Sequence, residues 1–176
     1  MAVYTKINKG DISFINKQFD IEEIISFQGI KKGIENTNYL LKSKNKKFIL
    51  TIFEKRVSNK EIPFFMKLMD KLNNSKINCP KPLKNNNGEY LIKLKNKTGC
   101  IVSFLKGKDK NKLNLKNCFE VGKIIAQMHL ATKSIDLTKT LNLNTPIIAR
   151  ECFIRFKKLI FEGPKYLFPL SEEIVA

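Results

Sequence analysis

The chain has 176 residues, 43% of them apolar and 28% charged, a balance that supports a buried core and excludes a disordered chain. Its 33 Lys+Arg against 16 Asp+Glu give a formal net charge of +17, but only Arg56, Arg150 and Arg155 are arginines. The lysines are scattered among asparagines, as in Lys42-Ser43-Lys44-Asn45-Lys46-Lys47, which describes a solvated surface and not the arginine-and-aromatic pattern of a specific nucleic-acid binder.

No apolar run approaches the roughly 18–20 residues that span a bilayer, and Met1 to Lys6 lack an apolar leader. The expectation is a cytoplasmic protein with no membrane partner. Cys79, Cys100, Cys118 and Cys152 form no Cys-x-x-Cys pair and His129 is the one histidine, so neither a zinc site nor a disulfide framework is expected.

In chain order, Asp11 to Phe19 places Ile12, Ile15 and Phe19 on one helical face, with Asp11 as the expected cap. Ile24 to Ile30, Thr37 to Leu41 and Phe48 to Phe53 read as three strands of an antiparallel meander; the last is apolar on both faces and so central. From Asn59 to Asn74 the period changes, and Ile62, Phe65, Met66, Met69 and Leu72 mark a helix that tolerates Pro63 in its first turn. A short strand is expected after Cys79-Pro80-Lys81-Pro82. Asn85-Asn86-Asn87-Gly88 is a turn signal, and Tyr90–Leu94 with Cys100–Leu105 reads as a hairpin.

After a polar stretch, a second long helix carries Phe119, Gly122, Ile125, Ala126 and His129 in one stripe, with His129 expected in a helix–sheet contact. One more helix is expected over Cys152 to Phe161. The fold expected is α+β: a five- or six-stranded antiparallel sheet with one packed helix (1–106), a linker (107–113) and a helical part (114–176).

The chemistry concentrates between the first two strands, where Gly29 to Asn38 supplies glycines and small polar residues at a tight hairpin. Exposed backbone amides in such a loop donate to anionic oxygens. There is no Gly-Lys-Ser/Thr of a Walker loop and no Gly-x-Gly-x-x-Gly. Taken with the following inner strand, helix, hairpin and connector, the order is that of a kinase N-lobe, whose last strand would lead into a hinge.

Several segments extend that likeness. They are Met1–Thr5, Gly33-Ile34-Glu35-Asn36-Thr37-Asn38-Tyr39-Leu40-Leu41, Phe48 to Arg56, Pro63 to Met69, Cys79-Pro80-Lys81-Pro82, Ile101 to Gly107, and Gly122 to His129. Through them, residues 1–135 resemble the aminoglycoside phosphotransferase/choline kinase-like family, and within it the homoserine kinases of threonine biosynthesis. The resemblance implies a kinase-like N-lobe followed by the start of a helical lobe. It also implies ATP as co-substrate with Mg²⁺, and L-homoserine as the acceptor of the γ-phosphoryl group. Choline- or aminoglycoside-type kinases and a non-catalytic, pseudokinase-like nucleotide-binding module are the alternatives. Gly33, Asn36, Thr37, Asn38, Thr51, Ser103, Phe104 and Leu105 are the nucleotide-binding residues it implies.

Two departures stand out. Thr51 aligns where many relatives place a phosphate-pairing lysine, and Glu61 or the turn at Phe65 is where its partner glutamate would sit. The family's catalytic loop, roughly His-Gly-Asp-x-x-x-x-Asn, has no counterpart, because His129 is flanked by Met128 and Leu130. The expectation is a chain truncated before that loop and inactive alone. Apolar Ile147, Ile148, Phe153, Phe156, Leu159 and Phe168 would then be left partly uncovered.

Overall fold

A computed structural model describes residues 3–31, 35–54, 59–107, 112 and 114–133. The chain divides into Met1–Lys133 and Ser134–Ala176, so the long third helix groups with the sheet. Ile147 to Phe168, and the helix expected from Cys152 to Phe161, lie outside the described residues.

The elements of the first unit are α1 (Lys9–Gln18), β1 (Ser26–Gly29), β2 (Thr37–Lys42), β3 (Lys47–Ile52), α2 (Ile62–Asn74), β4 (Leu91–Leu94), β5 (Lys97–Ser103) and α3 (Leu115–Thr132). The five strands form one antiparallel sheet in the order β1-β2-β3-β5-β4. The strand expected after Pro82 is a single bridge, Pro82 to Val102, because a proline cannot donate to a ladder.

Helix α1 is capped by Asn8 and not by Asp11. The Asn8 side chain accepts from the Asp11 N–H while Asp11, at the third helical position, accepts from the Asn8 N–H, a reciprocal capping box. At the other end the Asn86 N–H and amide donate to the carbonyls of Gln18 and Lys17, satisfying acceptors that a helix C-terminus leaves open.

Strand alternation splits the sheet's side chains into two sets. Tyr39, Leu41, Phe48, Leu50, Ile52, Ile92, Leu94 and Ile101 form the main core with Ile12 and Ile15 of α1. Cys100 and Val102 on the other face pack with Ile62 and Met66 of α2, joined by Ile49, Phe53, Met69, Tyr90 and Leu91. Both faces therefore carry a helix, where one had been expected. Helix α3 packs against α2 and buries none of its own residues. Leu115, Phe119 and Leu130 are 90%, 70% and 71% exposed. Of the predicted stripe, Ile125 and His129 are half-buried and Phe119 points outward.

The N-terminal segment is tied to the sheet by a polar knot that sequence reasoning missed. Glu54, just past β3, accepts from the hydroxyls of Thr5 at 2.7 Å and Thr37 at 2.6 Å. Its other carboxylate oxygen pairs with Lys97, which also donates to the Thr5 hydroxyl at 2.8 Å. The fully buried Thr37 hydroxyl accepts from the N–H groups of Tyr4 and Thr5 at 2.9 and 3.1 Å. Tyr39 donates its phenol to the Thr5 carbonyl at 2.9 Å. Lys97 is delivered by the β4–β5 turn, where Lys95 and Asn96 both have positive φ (51° and 60°), as a two-residue type I′ hairpin requires.

Burial alone would raise the Glu54 carboxyl, but hydrogen bonds from Lys97, Thr37 and Thr5 and the Lys97 charge outweigh it and hold it below the usual carboxylate value. A depressed folded-state pKa stabilises the fold above the unfolded value, and this is lost as pH falls through the folded value. Glu54→Gln should therefore cost about 1–3 kcal/mol near neutral pH. The gap to the parent should shrink as pH drops below about 4.5; urea titrations across pH check this. Leu50→Ala, at a fully buried core position, should cost about 2–5 kcal/mol in the same measurement with no such pH dependence.

Candidate functional site

Helix α2 covers only part of its face of the sheet. It lies over Cys100 and Val102 of β5, Leu91 of β4, and Ile49 with Phe53. The same face continues across β2 and β1 through Asn38, Leu40, Gln28 and Ile30. Pairing places Leu40 opposite Ile49 and Gln28 opposite Leu40. Ile30, Asn38, Leu40, Ile49 and Thr51 are half-buried and Gln28 is exposed. Leu40, Ile49 and Ile30 make an apolar floor beside the α2 contact.

The floor has two unlike ends. At the β5 end, Phe104 and Leu105 are 38% and 37% exposed. The Phe104 N–H donates to the Lys47 carbonyl at 3.2 Å, and the Lys47 ammonium sits 5.7 Å from the centroid of the Phe104 ring, within cation–π range. At the other end Thr51 pairs directly with Asn38 and donates its hydroxyl to the Asn38 carboxamide oxygen at 2.8 Å. Lys47 and Thr51 are four residues apart on β3, about 13 Å at the rise of an extended strand. An aromatic and main-chain end, an apolar floor and an amide-rich end suit an elongated ligand with a flat apolar head and an anionic tail.

The predicted residues divide between the two faces. Asn38, Thr51 and Phe104 line the open half-face, with Asn36 next to the amide end and Leu105 just beyond β5. Thr37 and Ser103 project to the opposite face. The Thr37 hydroxyl is held within the Glu54 knot. Ser103 pairs with the core residue Phe48 and its hydroxyl accepts from the Lys81 N–H at 2.9 Å. Their side chains do not reach the floor, because alternation sends each one opposite to its site-facing neighbour. Gly33 lies outside the described residues.

Cys100, opposite Thr51, is buried, and desolvation pushes its thiol up to about 12, so it stays protonated and unreactive. Glu61 precedes α2 and makes no side-chain cap. Glu54, on the far face, is the carboxylate beside β3 that meets a lysine, Lys97. The sequence signals only an acidic residue at the end of an apolar strand; nothing local ties it to Lys97 or to the threonines at 5 and 37. Among the described residues no group of three or more His, Cys, Asp and Glu side chains gathers as a metal site. No described helix is long and apolar enough to cross a membrane.

Residues 26–149 match the family model described as the phosphotransferase enzyme family, APH. The chain is 40% identical over 144 residues to a homoserine kinase of Paramagnetospirillum magneticum, covering 82% of this chain and 44% of that protein. It is 36% identical over 168 residues to one of Bartonella henselae, covering 94% and 53%. It thus spans about half the length of the curated relatives it matches. Among solved structures, a spectinomycin phosphotransferase in complex with ADP and spectinomycin superposes with a TM-score of 0.63 at 17% identity, over 80% of this chain and 43% of that one. An aminoglycoside phosphotransferase from Alicyclobacillus acidocaldarius gives 0.60 at 10%, over 92% and 46%. These likenesses fix the fold as the sheet-bearing lobe of a protein-kinase-like phosphotransferase, and the chain belongs to the APH phosphotransferase enzyme family.

Proposed function

We propose that this chain is the nucleotide-binding part of a homoserine kinase, acting in the cytoplasm on ATP and L-homoserine in threonine biosynthesis. The observation that carries the reading is the 36–41% identity to curated homoserine kinases, combined with a sheet face that α2 leaves half open. The adenine ring would lie on Ile30, Leu40 and Ile49, with the backbone at Phe104 and Leu105 meeting its polar edge. The phosphates would run toward Asn36, Asn38 and Thr51, and toward Gly33. The side chains of Thr37 and Ser103 take no part in this arrangement.

The reaction moves the γ-phosphoryl group to the acceptor hydroxyl. The hydroxyl oxygen forms the new bond to phosphorus, ADP leaves, and the hydroxyl proton passes to a base. In kinases that base is the catalytic-loop Asp, and the loop's Asn and a following acid hold Mg²⁺. The sequence has no His-Gly-Asp-x-x-x-x-Asn segment. The described residues do not gather a ligand set that fits Mg²⁺. The contribution of these residues is to hold and orient the nucleotide, which is a large part of phosphoryl-transfer catalysis.

The 176-residue chain should bind ADP with amide shifts confined to β1, β2, β3 and the Phe104–Leu105 segment, while showing no turnover of ATP above background. A chimera joining residues 1–133 to the remaining half of the Paramagnetospirillum magneticum homoserine kinase should phosphorylate L-homoserine in a coupled ADP-release assay. Shifts centred on α1 instead, or a folded chimera that binds ADP yet leaves homoserine unmodified, would overturn the assignment.

A further inference from the structure

The amide end of the floor is held by hydrogen bonds around Thr51, the threonine on the strand where a kinase usually carries a lysine. The Asn36 carboxamide oxygen accepts from the Glu54 N–H at 3.4 Å, and the Asn38 carboxamide oxygen accepts from the Thr51 hydroxyl at 2.8 Å. The Asn38 amide nitrogen donates to the main-chain carbonyl of Asn36 at 3.4 Å. A main-chain N–H can only donate and a main-chain carbonyl can only accept. These two partners therefore remove the usual ambiguity of amide orientation: both oxygens are engaged by the sheet and both nitrogens are turned away from those contacts. Among the described residues, one N–H of the Asn38 amide and both of the Asn36 amide remain available as donors.

Lysine on the third strand of a kinase pairs the phosphates as a point charge. Here Thr51 is too short to do so, and Glu54, just past β3, is matched by Lys97 on the opposite face. We propose that Asn36 and Asn38 form a neutral, amide-based anchor for the phosphate tail of the nucleotide, with Thr51 as the positioning residue that fixes the Asn38 amide. The inference rests on the nucleotide reading above and adds which groups hold the anionic end and by what chemistry.

The test is titration of the full 176-residue chain with adenosine and with ADP, in parallel, by calorimetry or chemical-shift mapping. Hydrogen bonds to charged groups are worth enough that Asn38→Asp, which turns a donor into an anion, should weaken ADP by about tenfold or more. Adenosine binding should be unchanged. Thr51→Val, which frees the amide to rotate, should weaken ADP several-fold with adenosine again unchanged, and Thr51→Ser should restore it. This near-isosteric pair decides the question even if Asn38→Asp does not fold. Adenosine binding with ADP affinity unaltered in Asn38→Asp and Thr51→Val would overturn the anchor and leave the nucleotide site standing. Equal losses for both ligands would also overturn the anchor. A parent chain that binds neither ligand would overturn the nucleotide site and the anchor together.

Discussion

The Glu54 carboxylate is the point on which the sheet-bearing lobe is assembled. It gathers groups from four places far apart in sequence: Thr5 before α1, Thr37 on β2, its own position after β3, and Lys97 at the start of β5. A carboxylate shielded from water is costly unless it is paired and hydrogen-bonded. That cost makes the knot selective, since it closes only when the N-terminal segment, the β2–β3 pairing and the β4–β5 hairpin are all in register. Tyr39 and Thr37 then hold the main chain of residues 4–7 against the sheet, and α1 follows directly, bringing Ile12 and Ile15 onto the main core.

The knot also keeps its polar groups off the other face of the sheet. In a strand, neighbouring residues serve opposite faces. The tripeptide Asn36-Thr37-Asn38 is accordingly divided, with the threonine hydroxyl committed to Glu54 and the two amides to the opposite side or its margin. The same division on β5 places Ile101 in the main core, Val102 under α2, and Ser103 back on the core side. Residues that build the knot and residues that edge the open face are separated by a single peptide unit, so the lobe carries a polar margin without opening its core.

Much of the fold was legible in the sequence because its elements announce themselves by period. The alternating Thr37–Leu41 run, the doubly apolar Phe48–Phe53 strand and the Ile62–Leu72 stripe all appear in place, and the kinase-like layout followed from their order. The cap of α1 was assigned to the wrong member of a reciprocal pair, since Asn8 and Asp11 satisfy the same rule and only backbone angles distinguish them. The Asp11–Phe19 helix is legible by period, but its packing on the sheet is not, because α1 precedes the strands and its partner residues are distant. Along β2 and β5 a motif names residues but not the direction of each side chain. Thr37 and Ser103 were grouped with their neighbours, and only the pairing register shows them facing away. Glu54 and Lys97 were invisible as a pair, because a contact spanning 43 residues leaves no local trace in composition or period.

The two-residue turn at Lys95 and Asn96 links this architecture to the kind of sequence change it can absorb. Loops in most proteins accept insertions and deletions freely, but loss of one residue here would make β5 re-pair with β4 one step out of phase. Every β5 side chain would then exchange faces: Ile101 would leave the core, and Lys97 would be carried away from the carboxylate it neutralises. Over evolutionary time, substitutions that keep a left-handed pair of residues should accumulate at this tip while length variants are purged, making it a short surface segment with an unusually rigid length.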